Sequence, residues 1–199
     1  SGSAGYSVRY YGHDVRLYDV DPVICAVWDY LIHVKPSEIL AIPDVLSGQT
    51  VDDLNITPEA RWLVGLWLNR ASAQPRRSPS AWMRSGVRPG SFWGEAVRQR
   101  IAAQVEHIRH WSVRCASYES IPQHRATWFV DPPYQVAGCH YKHGSDGIDF
   151  AALGDWCKSR DGLAIVCENS GADWLPFTDL ADVKTARKGR RSKEAVWIG

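Results

Sequence analysis

No apolar run in this chain of 199 residues approaches the length of about eighteen that a membrane-crossing helix needs. The mean hydropathy of −0.30 agrees. No basic stretch leading into an apolar one opens the sequence, so no secretion signal is read. No Cys-x-x-Cys pair occurs. The five cysteines, Cys25, Cys115, Cys139, Cys157 and Cys167, stand at scattered spacings and support neither a zinc ribbon nor a disulfide framework. A reduced, cytoplasmic setting is expected. Of the seven histidines, the pair singled out is His140 and His143, three residues apart and shortly after Asp131-Pro132-Pro133-Tyr134. No carboxylate or thiol set accompanies them, so no metal is expected. Cys139 lacks a Pro-Cys turn and a partner acid, and is read as a passive loop residue.

An excess of one charge sign is missing too: 23 Lys and Arg face 22 Asp and Glu, for a net charge of +1. The distribution says more than the total. Lys184, Arg187, Lys188, Arg190, Arg191 and Lys193 follow one another without an acid, and so do Arg70, Arg76, Arg77, Arg84 and Arg88. Such segments either present a positive face to phosphates or are solvated loops. What the chain has in quantity is apolar residues, 45%, with 23% charged, enough for a substantial core in the size range of one domain. The ten tryptophans are read mostly as packing residues.

The pattern at both ends is α/β. Val15-Arg16-Leu17-Tyr18 reads as a short strand closing on Asp19 and Asp21, and Pro22 opens a helix that runs to Ile32. Residues 127–130 read as a buried strand stopped by Asp131-Pro132-Pro133, residues 149–159 as a helix, 163–167 as another buried strand and 195–198 as a last one. Strands bounded by helices predict a mainly parallel sheet with helices on both faces. The middle differs. Thr57 and Pro58 open a helix, 71–94 is a long Ser/Pro/Gly/Arg loop, and 95–111 is a periodic helix with Val97, Ile101, Val105 and Ile108 in step. The expected organisation is an α/β domain of residues 1–51 and 112–199, with 52–111 as a helical insertion.

Asp131-Pro132-Pro133-Tyr134 directly follows a predicted buried strand. In open parallel sheets, ligands bind beyond the carboxyl ends of strands. Two prolines stiffen the turn and leave carbonyls without neighbouring N–H groups. A carboxylate, a rigid carbonyl and an aromatic face are what the amino group of a planar base requires. Asp131 and the Pro132 carbonyl can accept its two hydrogens while Tyr134 stacks on the ring. The plain alternative is a strand-ending turn with Asp as a cap. Asn169, after the later strand, either lines the same pocket or caps a following helix.

Five segments occur in a fixed order: Ser1-Gly2-Ser3-Ala4-Gly5-Tyr6-Ser7, Asp19-Val20-Asp21-Pro22, Cys115-Ala116-Ser117-Tyr118, Asp131-Pro132-Pro133-Tyr134, and Lys193-Glu194-Ala195-Val196-Trp197-Ile198. Together they resemble the Dam-like (D12 class) DNA adenine N6-methyltransferases over nearly the whole chain, with the helical middle matching loosely. The resemblance implies a Rossmann-like methyltransferase sheet, S-adenosylmethionine as cofactor, double-stranded DNA as partner, and methyl transfer to adenine N6 after base flipping. It assigns Gly2, Ser3, Ala4 and Gly5 to the loop that the methionine end of the cofactor approaches. Asp19 becomes the acceptor for the ribose hydroxyls, with Asp21 as runner-up or as the cap of the following helix. Ser117 and Tyr118 fall beside the cofactor's adenine, where the family often has an acid. Arg70, Arg76, Arg77, Arg84, Arg88, Arg187, Lys188, Arg190 and Arg191 are the expected DNA contacts. The family places a strand before the glycine loop, whereas this sequence opens at Ser1 within it. The sheet is therefore expected to lack its N-terminal strand, and the cofactor site to be incomplete to that extent. N4-methylation of cytosine, which uses the same amino-group logic, and a DNA-binding relic without catalysis remain alternatives.

Overall fold

The structure is a computed structural model that describes residues 4–69, 74–86, 90–136, 144–184 and 191–199. The chain forms two units, Ser1–Cys115 and Ala116–Gly199. The first runs α1 (Gly5–Arg9), β1 (Arg16–Asp19), α2 (Pro22–His33), α3 (Pro36–Ala41), α4 (Pro58–Trp67), α5 (Ala81–Arg84), α6 (Glu95–Val105) and β2 (Ser112–Cys115). β1 and β2 pair in parallel, with Leu17 opposite Val113 and Asp19 opposite Cys115. Local chemistry sets the helix starts. The Asp21 carboxylate accepts from Val23 N at 2.9 Å with Pro22 in the first turn, and Thr57 Oγ1 accepts from Ala60 N at 3.3 Å with Pro58 beside it.

The apolar faces of α2, α3, α4 and α6 meet in one core that includes Val27, Ile39, Leu63, Val64, Val97 and Val105. The helical segment 52–111 therefore shares its core with the helices that precede it. Gly65 of α4 lets the chain at Pro75 and Arg76 lie against the helix. A Cβ there would stand 2.7 Å from the Arg76 carbonyl oxygen. The 71–94 segment is not wholly irregular. Ser80 caps α5 through Met83 N, and Trp93 is buried with its indole N–H on the Pro43 carbonyl at 3.0 Å. The expected helix over 95–111 stops at Val105 and tightens into a 3-10 turn, Glu106–Ile108. The tightened turn brings the buried Trp111 against Trp28 and leads into β2.

The second unit contains β3 (Trp128–Val130), α7 (Phe150–Lys158), β4 (Ala164–Asn169), β5 (Thr178–Lys184) and β6 (Arg191–Ile198), in the sheet order β3-β4-β6-β5. β3 and β4 are parallel, while β6 runs antiparallel to both β4 and β5. Leu153 and Cys157 of α7 pack on Val166 and Leu175, and Asp149 caps α7 through Ala152 N at 3.0 Å. Arg160 lies over the rings of Trp156 and Trp128, at 4.3 and 5.5 Å from their centroids.

Mixed α/β architecture is as expected, and the strands of each unit pair within that unit. Among the described residues β1 pairs only with β2 and β3 only with β4, so the strands form two sheets. The larger sheet is mixed because β6 returns antiparallel between β4 and β5. β6 also opens at Arg191, four residues before the expected start, since pairing with β5 carries its polar half. β5 had no sequence signal: Thr178–Val183 are all exposed, as suits an edge strand without a buried face.

Candidate functional site

The Asp131–Tyr134 turn leaves β3 at its carboxyl end, beside the parallel neighbour β4. Among the described residues no hydrogen bond reaches the Asp131 carboxylate. The residue is open to solvent at its surface, yet protein crowds it from behind. That desolvation pushes its carboxyl above the ordinary aspartate range, with repulsion from Glu194 adding to it. Because the carboxylate still meets water, the shift is a preference rather than a fixed neutral state. Pro132 and Pro133 are half-buried. The Tyr134 hydroxyl donates to Glu194 Oε2 of β6 at 3.1 Å. Its phenol is pushed far up, first by burial and then by the charges of Asp131 and Glu194.

The next residue closes the turn. Gln135 N–H donates to Glu168 Oε1 at 2.5 Å, and Glu168 Oε2 accepts from Asn169 N at 3.1 Å. Glu168 is fully buried, at 0% exposure, which raises its carboxyl, while these two hydrogen bonds oppose the rise. The Gln135 side chain brackets Asp173, donating to Oδ1 at 3.2 Å and accepting from its backbone N at 3.3 Å. Asn169 accepts from Ser192 Oγ at 3.1 Å, which joins β4 to β6, and it caps no helix. The sequence reading missed Glu168 and Glu194. A lone carboxylate ending the apolar run Ile165-Val166-Cys167 was the available signal for Glu168.

Ser117 donates to Glu119 Oε2 at 3.0 Å, so an acid missing at 117 stands two residues on. Tyr118 is engaged elsewhere: its ring meets Trp156 edge-on at 5.5 Å in the core of the second unit. In the first unit, Ala4 is buried and adopts the left-handed conformation (φ 45°) just before Gly5 begins α1. Gly2 and Ser3 lie outside the described residues. Asp19 ends β1 and accepts from Asp21 N at 2.9 Å, while Asp21 caps α2. Of the two, the cap is Asp21.

The expected DNA contacts divide in the same way. Arg76, Arg77, Arg84 and Arg191 are exposed. Arg77 pairs with Asp52 at 2.7 Å, Arg191 donates to the Asp182 carboxylate at 2.7 Å and to its carbonyl at 3.0 Å, and Arg84 donates to the Pro79 carbonyl. Arg70, Arg88, Arg187, Lys188 and Arg190 lie outside the described residues. Among the described residues no group of three His, Cys, Asp or Glu side chains forms a metal site. No described helix is long and apolar enough to cross a membrane. The chain matches no family model and no curated protein.

Proposed function

We propose that this protein transfers a methyl group from S-adenosylmethionine to the N6 amino group of adenine in double-stranded DNA, acting on a base flipped out of the stack. One observation carries the reading. A carboxylate that accepts no hydrogen bond from any described residue stands at the carboxyl end of β3, on a turn stiffened by two prolines and braced through Tyr134 and Gln135. An amino group placed there meets two acceptors, the Asp131 carboxylate and the Pro132 carbonyl, and both draw its hydrogens while leaving its lone pair free. Tyr134 offers a ring whose orientation is fixed by Glu194, suited to stacking on the base.

The cofactor's requirements fit residues of this chain. Ala4 and Gly5 have no side chain beyond Cβ to block approach to the backbone, and Asp19 ends β1 with a carboxylate suited to ribose hydroxyls. Within the second unit taken by itself, Glu119 beside Ser117 carries an acid of the kind that an adenine amino group takes. S-adenosylmethionine, when bound, supplies an electrophilic methyl on sulfur. The chain's own contribution is alignment and electrostatics, with no covalent intermediate on the protein.

The test combines calorimetric titration with S-adenosylmethionine and transfer of labelled methyl groups to DNA, followed by nucleoside mass analysis. N6-methyladenine is the expected product. N4-methylcytosine would move the target to cytosine. DNA affinity without cofactor binding or methyl transfer would overturn the proposal in favour of a binding relic.

A further inference from the structure

Two of the cysteines converge at the carboxyl end of the β1–β2 pair. Asp19 and Cys115 stand opposite each other in the parallel register. Cys25, in the first turns of α2, donates to the Asp19 carbonyl at 3.4 Å, and Cys115 donates to the next carbonyl, Val20, at 3.7 Å. The two sulfurs thus sit on consecutive carbonyls of the segment that leaves β1. They differ in access: Cys25 is buried and Cys115 exposed. The other described cysteines lack such a neighbour. Cys157 is buried in the apolar core of the second unit, and Cys167 has the acids Asp131 and Glu194 around it.

We propose that Cys25 and Cys115 are a peroxide-responsive thiol pair that closes to a reversible disulfide joining the first turns of α2 to the last residue of β2. The order of events follows from access. Burial first, and then the neighbouring Cys115, push the Cys25 thiol up to about 12, which leaves the exposed Cys115 to meet the oxidant. The Cys115 thiolate attacks one oxygen of hydrogen peroxide. An S–O bond forms, the O–O bond breaks, and the departing hydroxide takes a proton to become water. Cys25 sulfur then attacks Cys115 sulfur. The S–S bond forms as the S–O bond breaks, and the leaving hydroxide takes the Cys25 proton, giving a second water. Both sulfurs are oxidised by one electron and both peroxide oxygens are reduced by one. The bond forms beside Asp19, and the inference stands whether or not the chain transfers methyl groups.

The experiment treats the full-length reduced protein with hydrogen peroxide, then reads intact mass and non-reducing peptide maps. Expected are loss of the mass of two hydrogens, one linked peptide pair containing Cys25 and Cys115, and recovery of both thiols with a reductant. Cys115→Ser should abolish the linkage, and Cys25→Ser should leave a sulfenic acid on Cys115 that dimedone traps. The map of the unsubstituted protein decides the matter even where a variant fails to fold. A linkage of Cys115 to Cys139 or Cys167, over-oxidised Cys115 beside a free Cys25, or no mass change would overturn it.

Discussion

Two strand ends of this molecule carry an aspartate close to a proline, and they treat it in opposite ways. After β1, Asp19 accepts from Asp21 N, Asp21 accepts from Val23 N, and both carboxylates hold the chain as it turns into α2. After β3, Asp131 has no such local partner. Neighbouring strands hold the turn instead, through Glu168 to Gln135 and Glu194 to Tyr134. The difference teaches where a strand-end carboxylate is structural and where it is available. If the N–H groups that follow it are present and free, the chain uses it as a cap. Asp131 is followed by two prolines, which have no N–H to give.

Breaking the available end should have the largest effect. Asp131→Ala is expected to lower the methyl-transfer rate about a thousandfold, the scale of losing a positioned catalytic group. Its urea midpoint should stay near the parent's. Equal turnover by the two proteins in a labelled-methyl assay would remove Asp131 from the reaction. Next comes the brace. Glu168→Ala leaves the N–H groups of Gln135 and Asn169 without their acceptor, at a cost of about 2–3 kcal/mol in stability, measurable by denaturant unfolding. Asp21→Ala should cost only about 1 kcal/mol, the usual worth of an N-cap. Any methyl-transfer loss beyond that destabilisation would mean that the β1 end is not purely structural.

The same comparison extends to pH. In the second unit, burial raises the carboxyls of Asp131 and Glu168, so the folded chain holds protons that the unfolded chain has released. Its stability should therefore fall as pH rises from the unfolded carboxylate range through the raised folded values. In the first unit, Asp53 is lowered by hydrogen bonds from Thr50, and Glu106 by its bond with Arg109. Their contribution is present above the unfolded range and lost as pH falls through the lowered values. Hydrogen exchange resolved by segment across acid pH should show slopes of opposite sign, and Glu168→Gln should flatten the second. The smallest effect belongs to the exposed ion pairs. Arg191→Ala should cost less than about 1 kcal/mol of stability. On DNA it should change the salt slope by less than a full contact, because Asp182 already balances its charge. A full unit of slope would show that Arg191 releases Asp182 to reach a phosphate.

Local signals were legible wherever neighbours in sequence decide the outcome. Pro22 after Asp21, Pro58 after Thr57, and Asp149 ahead of α7 each marked a helix start. β3 and β4 were visible as short apolar runs. β5 was not, because its side chains face solvent and only pairing with β6 makes it a strand. The braces on the Asp131–Tyr134 turn were equally hidden. Glu168 lies 33 positions from Gln135 and Glu194 lies 60 from Tyr134, so no spacing rule links them.

By itself the sequence determined the helix caps and the strand-ending turn of two prolines, because each depends on residue type and immediate neighbours. Tertiary structure decided the rest. It set the reversed β6 between β4 and β5 and divided the strands between two sheets. It paired Arg77 and Arg191 with acids and buried one carboxylate where it could grip the turn. Those outcomes depend on which distant groups meet and how much water remains between them. Composition and spacing fix neither.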